Sequence, residues 1–137
     1  VRFEELEHTA DLSIRAYGRS LPELFESAAL GMFSLIWDPA QGGACSEAFM
    51  ITLPQDEPST LLRRFLAELL FIHEDRAVLL GQFRLALPPG GPLECEAAGV
   101  PMSAHEVRAH IKAVTYHRLE VCRGEDGLWV ATLVFDT

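Results

Sequence analysis

Leu12, Ile14 and Ala16 alternate with Ser13, Arg15 and Tyr17 and stop at Gly18, the period-two signature of a half-buried strand. Phe3 and Leu6, set among acidic residues, predict a short strand before it, with His8-Thr9-Ala10-Asp11 as a polar interruption between the two. The period then changes. Leu21, Leu24, Phe25, Ala28, Ala29, Met32, Phe33 and Ile36 recur at three- and four-residue spacing, which predicts an amphipathic helix. Ser20-Leu21-Pro22-Glu23 supplies a capping box with proline in the first turn, and Asp38-Pro39 stops the helix.

After a turn over 41–46, Phe49, Ile51 and Leu53 share one face of a strand from Glu47 to Leu53. A second helix follows Pro58, with Leu61, Leu62, Phe65, Leu66, Leu69 and Ile72 inward and Arg63, Arg64 and Glu68 outward. The remainder reads as strands: 78–87, 93–98, 110–116, 119–123 and 128–135. The Pro88-Pro89-Gly90-Gly91-Pro92 turn divides the first two, and Gly124-Glu125-Asp126-Gly127 makes a hairpin of the last two. Strands run consecutively at the end instead of alternating with helices. The prediction is a single α+β domain over residues 1–137, with a mostly antiparallel (mixed) sheet and two amphipathic helices packed on one face.

Composition narrows the function. Of 137 residues 49% are hydrophobic and 23% charged, enough for a core that needs neither disulfides nor a structural metal. A net charge of −9 repels phosphate backbones, so tight direct binding to nucleic acid is disfavoured and a basic or nucleic-acid-bound partner fits better. Cys45, Cys95 and Cys122 are odd in number and far apart, which suits a reducing cytoplasm. The longest uncharged run, Ser27 to Trp37, is far short of the roughly 20 residues that span a bilayer, so no membrane partner is expected.

Phosphate-loop, nucleophile-elbow, zincin and EF-hand motifs are missing from the sequence. Three features remain. His8 and Asp11 can present an imidazole and a carboxylate to one point, although on this feature alone the commoner role of such an Asp11 is to satisfy loop amides in an Asx turn. Lys112 is the single lysine beside ten arginines, a compact ammonium among β residues. Asp136 closes an apolar run as an exposed end would, yet would meet Asp11 if the first and last strands were neighbours. Two carboxylates at one point need a shared proton or a cation, and hard divalent ions take such oxygens. Strand alternation puts His110, Lys112, Val114 and Tyr116 on one face; His105, His110 and His117 are spaced irregularly for a transition-metal site.

Phe3 through Asp11, Ala16-Tyr17-Gly18 before Ser20-Leu21, Leu24-Phe25-Glu26 and Ala28-Ala29-Leu30-Gly31-Met32-Phe33 are shared with a known family. So are the 61–71 helix, Gly99, His105, the block Lys112-Ala113-Val114-Thr115-Tyr116-His117 and the terminal strand closing on Asp136. Together they make the chain resemble the archease family over essentially its whole length. The resemblance implies a protein cofactor, itself without independent catalysis, for the GTP-dependent RNA-splicing ligase. That ligase joins a 2′,3′-cyclic or 3′-phosphate end to a 5′-hydroxyl end in tRNA splicing or RNA repair.

Archease-like proteins promote guanylylation of the ligase's histidine and allow multiple turnovers. The resemblance implies a divalent ion on Asp11, Asp136 and Thr137, with Ca²⁺ the first expectation and Mg²⁺ or Mn²⁺ the alternatives. It implies a part in activation for Asp11, Lys112, Asp136 and His8. Val100, His110 and Thr137 depart from the family pattern, standing where an acid, an acid and an aliphatic residue are usual. Two other readings use the same residues: a metal-dependent phosphohydrolase, for which the sequence offers no clear extra base or nucleophile, and a chaperone-like scaffold with no site.

Overall fold

The chain pairs its beginning with its end. In the computed structural model, which describes residues 1–6, 12–41, 43–115 and 119–137, β1 (Arg2–Leu6) lies antiparallel to β2 (Leu12–Gly18), and β2 lies antiparallel to β8 (Trp129–Asp136). The register runs from Leu12 opposite Phe135 to Gly18 opposite Trp129. Ile14, Ala16, Ala131, Leu133 and Phe135 are buried on the inner face. On the outer face Arg15 bonds Glu4 at 3.3 Å and Thr132 at 3.4 Å, while the Tyr17 hydroxyl donates to Glu4 at 2.7 Å. From Ile14 to Gly18 the alternation seen in the sequence is thus an inside–outside partition, whereas Ser13 is buried against the pattern.

α1 (Leu21–Ile36) starts as its capping box requires. Ser20 Oγ accepts from the Glu23 amide at 3.3 Å, and the Glu23 carboxylate reaches back to the Arg19 amide at 3.0 Å. Its apolar stripe is buried, and Trp37 follows in extended conformation with its indole N–H on the Leu80 carbonyl at 3.1 Å. α2 (Pro58–Arg76) buries the predicted leucines and also His73, whose Nδ1 lies 2.7 Å from the Val78 carbonyl. A carbonyl only accepts, so Nδ1 carries the proton.

β3 (Glu47–Leu53), β5 (Leu93–Pro101) and β4 (Val78–Ala86) form a separate three-stranded antiparallel sheet in that order. The expected single sheet is therefore two, and every pairing in them is antiparallel. The reason is that periodicity marks a strand's faces and leaves its hydrogen-bonding edges unspecified. α1 lies against β1, β2 and β8 of the first sheet and β4 of the second; α2 packs on α1, β3, β4 and β6. Each helix thus touches strands of both sheets.

β6 (Ala113–Val114) and β7 (Val121–Arg123) share the edge of β8 that β2 leaves open. The predicted hairpin is present: Val121 to Arg123 pair with Ala131 to Trp129, around a turn in which Gly127 takes φ +80°. Of the strand expected over 110–116, Ala113–Val114 is strand among the described residues, and Tyr116 lies outside them. Ile111 and Val114 are both buried, three positions apart, and that spacing breaks the period of two. The placement of Lys112 with Val114 on one face goes with it, since Lys112 is exposed and Val114 buried. Among the described residues, no helix is long and apolar enough to cross a membrane.

Candidate metal and activation site

Asp136 owes its position to β8. Leu133 and Phe135 point into the core, so the next residue projects to the opposite side, and Asp136 is exposed. On one edge of β8, Phe135 faces Leu12. On the other, Ala113 pairs with Asp136 and Val114 with Phe135. The Lys112 amide donates to the Asp136 carbonyl at 2.8 Å, and the Thr115 amide to the Val134 carbonyl at 2.9 Å. Lys112 is also exposed, so its ammonium stands in water beside the end of β8.

Of the predicted residues, the fold therefore brings Lys112, Asp136 and Thr137 to one end of the first sheet. His8 and Asp11 lie outside the described residues, as do Tyr116 and His117. The strand that Asp11 precedes is placed, however: Leu12, one peptide bond on, is the partner of Phe135.

Asp136 supplies a carboxylate and Thr137 a hydroxyl, the hard oxygen donors that Ca²⁺, Mg²⁺ and Mn²⁺ take. Thr115 Oγ1, one residue past β6, is buried without a hydrogen-bond partner among the described residues. Among the described residues, no group of three or more His, Cys, Asp or Glu side chains could hold a metal. The donor set fits a hard ion in kind, and a closed coordination sphere needs further oxygen ligands.

Two of the three positions that depart from the resemblance have structural partners. Val100 is core, opposite Leu79 in the second sheet. His110 Nε2 lies 3.3 Å from the Glu74 carboxylate, which links the approach to Lys112 with α2. Thr137 follows β8, exposed. His105 packs its ring on Trp37 with centroids 5.4 Å apart. Cys45, Cys95 and Cys122 are free, and burial, followed by Glu96 and Glu26, pushes the Cys95 thiol up to about 11 against a backbone hydrogen bond that lowers it. The polar contacts that tether Glu106 and His110 carry no sequence signal, because Gln41 and Glu74 are distant in the chain.

The Archease protein family (MTH1598/TM1083) matches residues 3–137. The chain is 34% identical to protein archease of Thermococcus gammatolerans over 142 residues, covering 98% of each chain. It is 36% identical to protein archease of Methanothermobacter thermautotrophicus over 138 residues, covering 98% of this chain and 97% of the relative. The solution structure of Methanobacterium thermoautotrophicum protein 1598 superposes with a TM-score of 0.82 at 34% identity, with 98% of each chain covered. The crystal structure of an archease, possible chaperone, from Thermotoga maritima has the same fold, with a TM-score of 0.66 at 22% identity and coverage of 96% of this chain and 94% of that one.

Proposed function

The chain belongs to the archease family, and on that premise we propose that it activates the GTP-dependent ligase that joins 3′-phosphate and 5′-hydroxyl RNA ends. The observation that carries this reading is the junction at the end of β8. Lys112 is bonded through its amide to Asp136, and the strand entered from Asp11 begins beside Phe135. The chain's single lysine and Asp136 thereby share one end of one sheet, where the strand that follows Asp11 in sequence begins.

In this reading Asp11, Asp136 and Thr137 hold a divalent ion, with Ca²⁺ foremost, and the ion supplies positive charge and oxygen-ligand geometry at the tip. The β8 ladder fixes the Asp136 backbone, and Lys112 brings a mobile ammonium to the same edge. An ammonium placed beside a triphosphate stabilises charge that develops during nucleotidyl transfer. The site acts on the ligase's reaction and performs none of its own, and His8 contributes to the same tip. A net charge of −9 suits a partner whose surface is basic for RNA, and a cytoplasmic setting accords with three free thiols.

The test is GTP-dependent guanylylation of the purified ligase, with wild type, Asp11→Ala, Lys112→Ala and Asp136→Ala compared side by side. Wild type accelerates guanylylation and each variant loses at least about tenfold of that acceleration. Equal guanylylation with and without the protein refutes the reading. Turnover of a generic phosphoester by the isolated protein would instead favour a hydrolase.

A further inference from the structure

Between β5 and β6 the chain runs to Lys112 with a single 3-10 turn at Met102–Ala104 and no strand ladder. Its course is set by separate contacts along the C-terminal end of α1. The His105 ring rests on Trp37, and the Arg108 amide donates to the Ile36 carbonyl at 2.6 Å. Farther on, Ile111 is buried, and the next residue is Lys112 on Asp136.

One side chain makes two of these contacts. Gln41 Oε1 accepts from the Glu106 amide at 3.0 Å, and Gln41 Nε2 donates to the Glu106 carbonyl at 3.3 Å. A primary amide offers one acceptor and two donors, so it can satisfy both backbone groups of one residue, as a neighbouring strand would. The residue it holds lies six positions before Lys112. A hydrogen bond at the surface contributes little to global stability. Two on one residue of an unladdered segment instead restrict where that segment runs.

We infer that Gln41 is a positioning residue: its carboxamide fixes the path of 106–111 and so holds the Lys112 amide on Asp136. What Lys112 then does rests on the activator reading above; the positioning itself stands on the hydrogen bonds. Gln41 does not touch the site and acts only through this segment.

The experiment is amide hydrogen exchange by NMR on the full chain, with rates corrected for intrinsic exchange, in wild type, Gln41→Ala and Gln41→Glu. Gln41→Glu keeps the acceptor for the Glu106 amide and loses the donor to its carbonyl. Protection at Glu106 and Lys112 falls by about tenfold or more in Gln41→Ala and by an intermediate factor in Gln41→Glu, while amides of the β2–β8 ladder keep theirs. A parallel titration with Ca²⁺ alone shows weaker binding in Gln41→Ala, by a factor of about three to ten.

Unchanged Lys112 protection in Gln41→Ala overturns the inference. So does an equal loss across all strands, which marks a general effect on stability. Guanylylation that ignores the wild-type protein while the exchange pattern holds sinks the activator reading and leaves the positioning intact.

Discussion

The Lys112 amide donates to the Asp136 carbonyl at 2.8 Å. This bond uses backbone on both sides, so the two residues are held together whatever their side chains are. Lys112→Ala should therefore fold as wild type does, with stability within about 0.5 kcal/mol by urea denaturation, as expected for an exposed position. The same variant should lose activation of the ligase. A large loss of stability would show that the ammonium has a structural partner and would remove Lys112 from the functional argument.

Asp136 is exposed, and its carboxylate is the proposed ligand. Ca²⁺ at about a hundred times its dissociation constant should raise wild-type stability by about 2.7 kcal/mol through linkage. In Asp136→Asn the rise should nearly vanish, while stability measured in chelator stays close to wild type. Thermal melts with Ca²⁺ and with chelator check both halves.

Gly99 passes against β4 so closely that a Cβ there would lie 2.1 Å from the Leu79 carbonyl oxygen. Backbone cannot swing aside as a side chain does, so Gly99→Ala has to push β4 and β5 apart. A cost of about 3 kcal/mol or more is expected, read from the urea midpoint. Activation per folded molecule should survive, because Gly99 belongs to the second sheet and Asp136 to the first.

Cys95 is 1% exposed, and burial first, with Glu96 and Glu26 after it, raises its thiol from 9.0 to about 11. The folded chain holds the proton more tightly than the unfolded chain. Its contribution is intact below pH 9 and is lost as the pH climbs towards 11, by on the order of 2 kcal/mol. The urea midpoint of wild type should fall more steeply over that window than the midpoint of Cys95→Ala. At pH 8, thiol reagents should label exposed Cys122 and spare Cys95 until the protein unfolds.

Much of this fold was legible in the sequence. Ser20 to Glu23 caps α1 as read, and Leu12 to Gly18 is a strand as read, with Ser13 the one polar position that is buried instead of exposed, because those patterns are local. The number of sheets was not legible, since which edge of β8 receives β2 and which receives β6 depends on the whole chain. The expected start of a strand at 110 was wrong for a related reason: Gln41, Ile36 and Glu74 hold the approach to Lys112 from positions tens of residues away, and the strand begins at Ala113. Lys112 and Asp136 were identifiable by rarity and by strand position, and the fold joins them. Val100 and His110 were marked as departures, and the structure gives them a core position and a link to α2. His8 and Asp11 fall outside the described residues.

In the proposed site Asp11, Asp136 and Thr137 hold one divalent ion at the end of β8, beside Lys112. Paramagnetic broadening by substoichiometric Mn²⁺ in an amide-resolved NMR spectrum tests it most directly. Signals of Leu12, Lys112, Ala113 and Phe135 should broaden first, those of Met50 and Leu93 in the second sheet should stay sharp, and Asp11→Asn and Asp136→Asn should each abolish the effect. Broadening centred elsewhere, or insensitive to either substitution, contradicts the account.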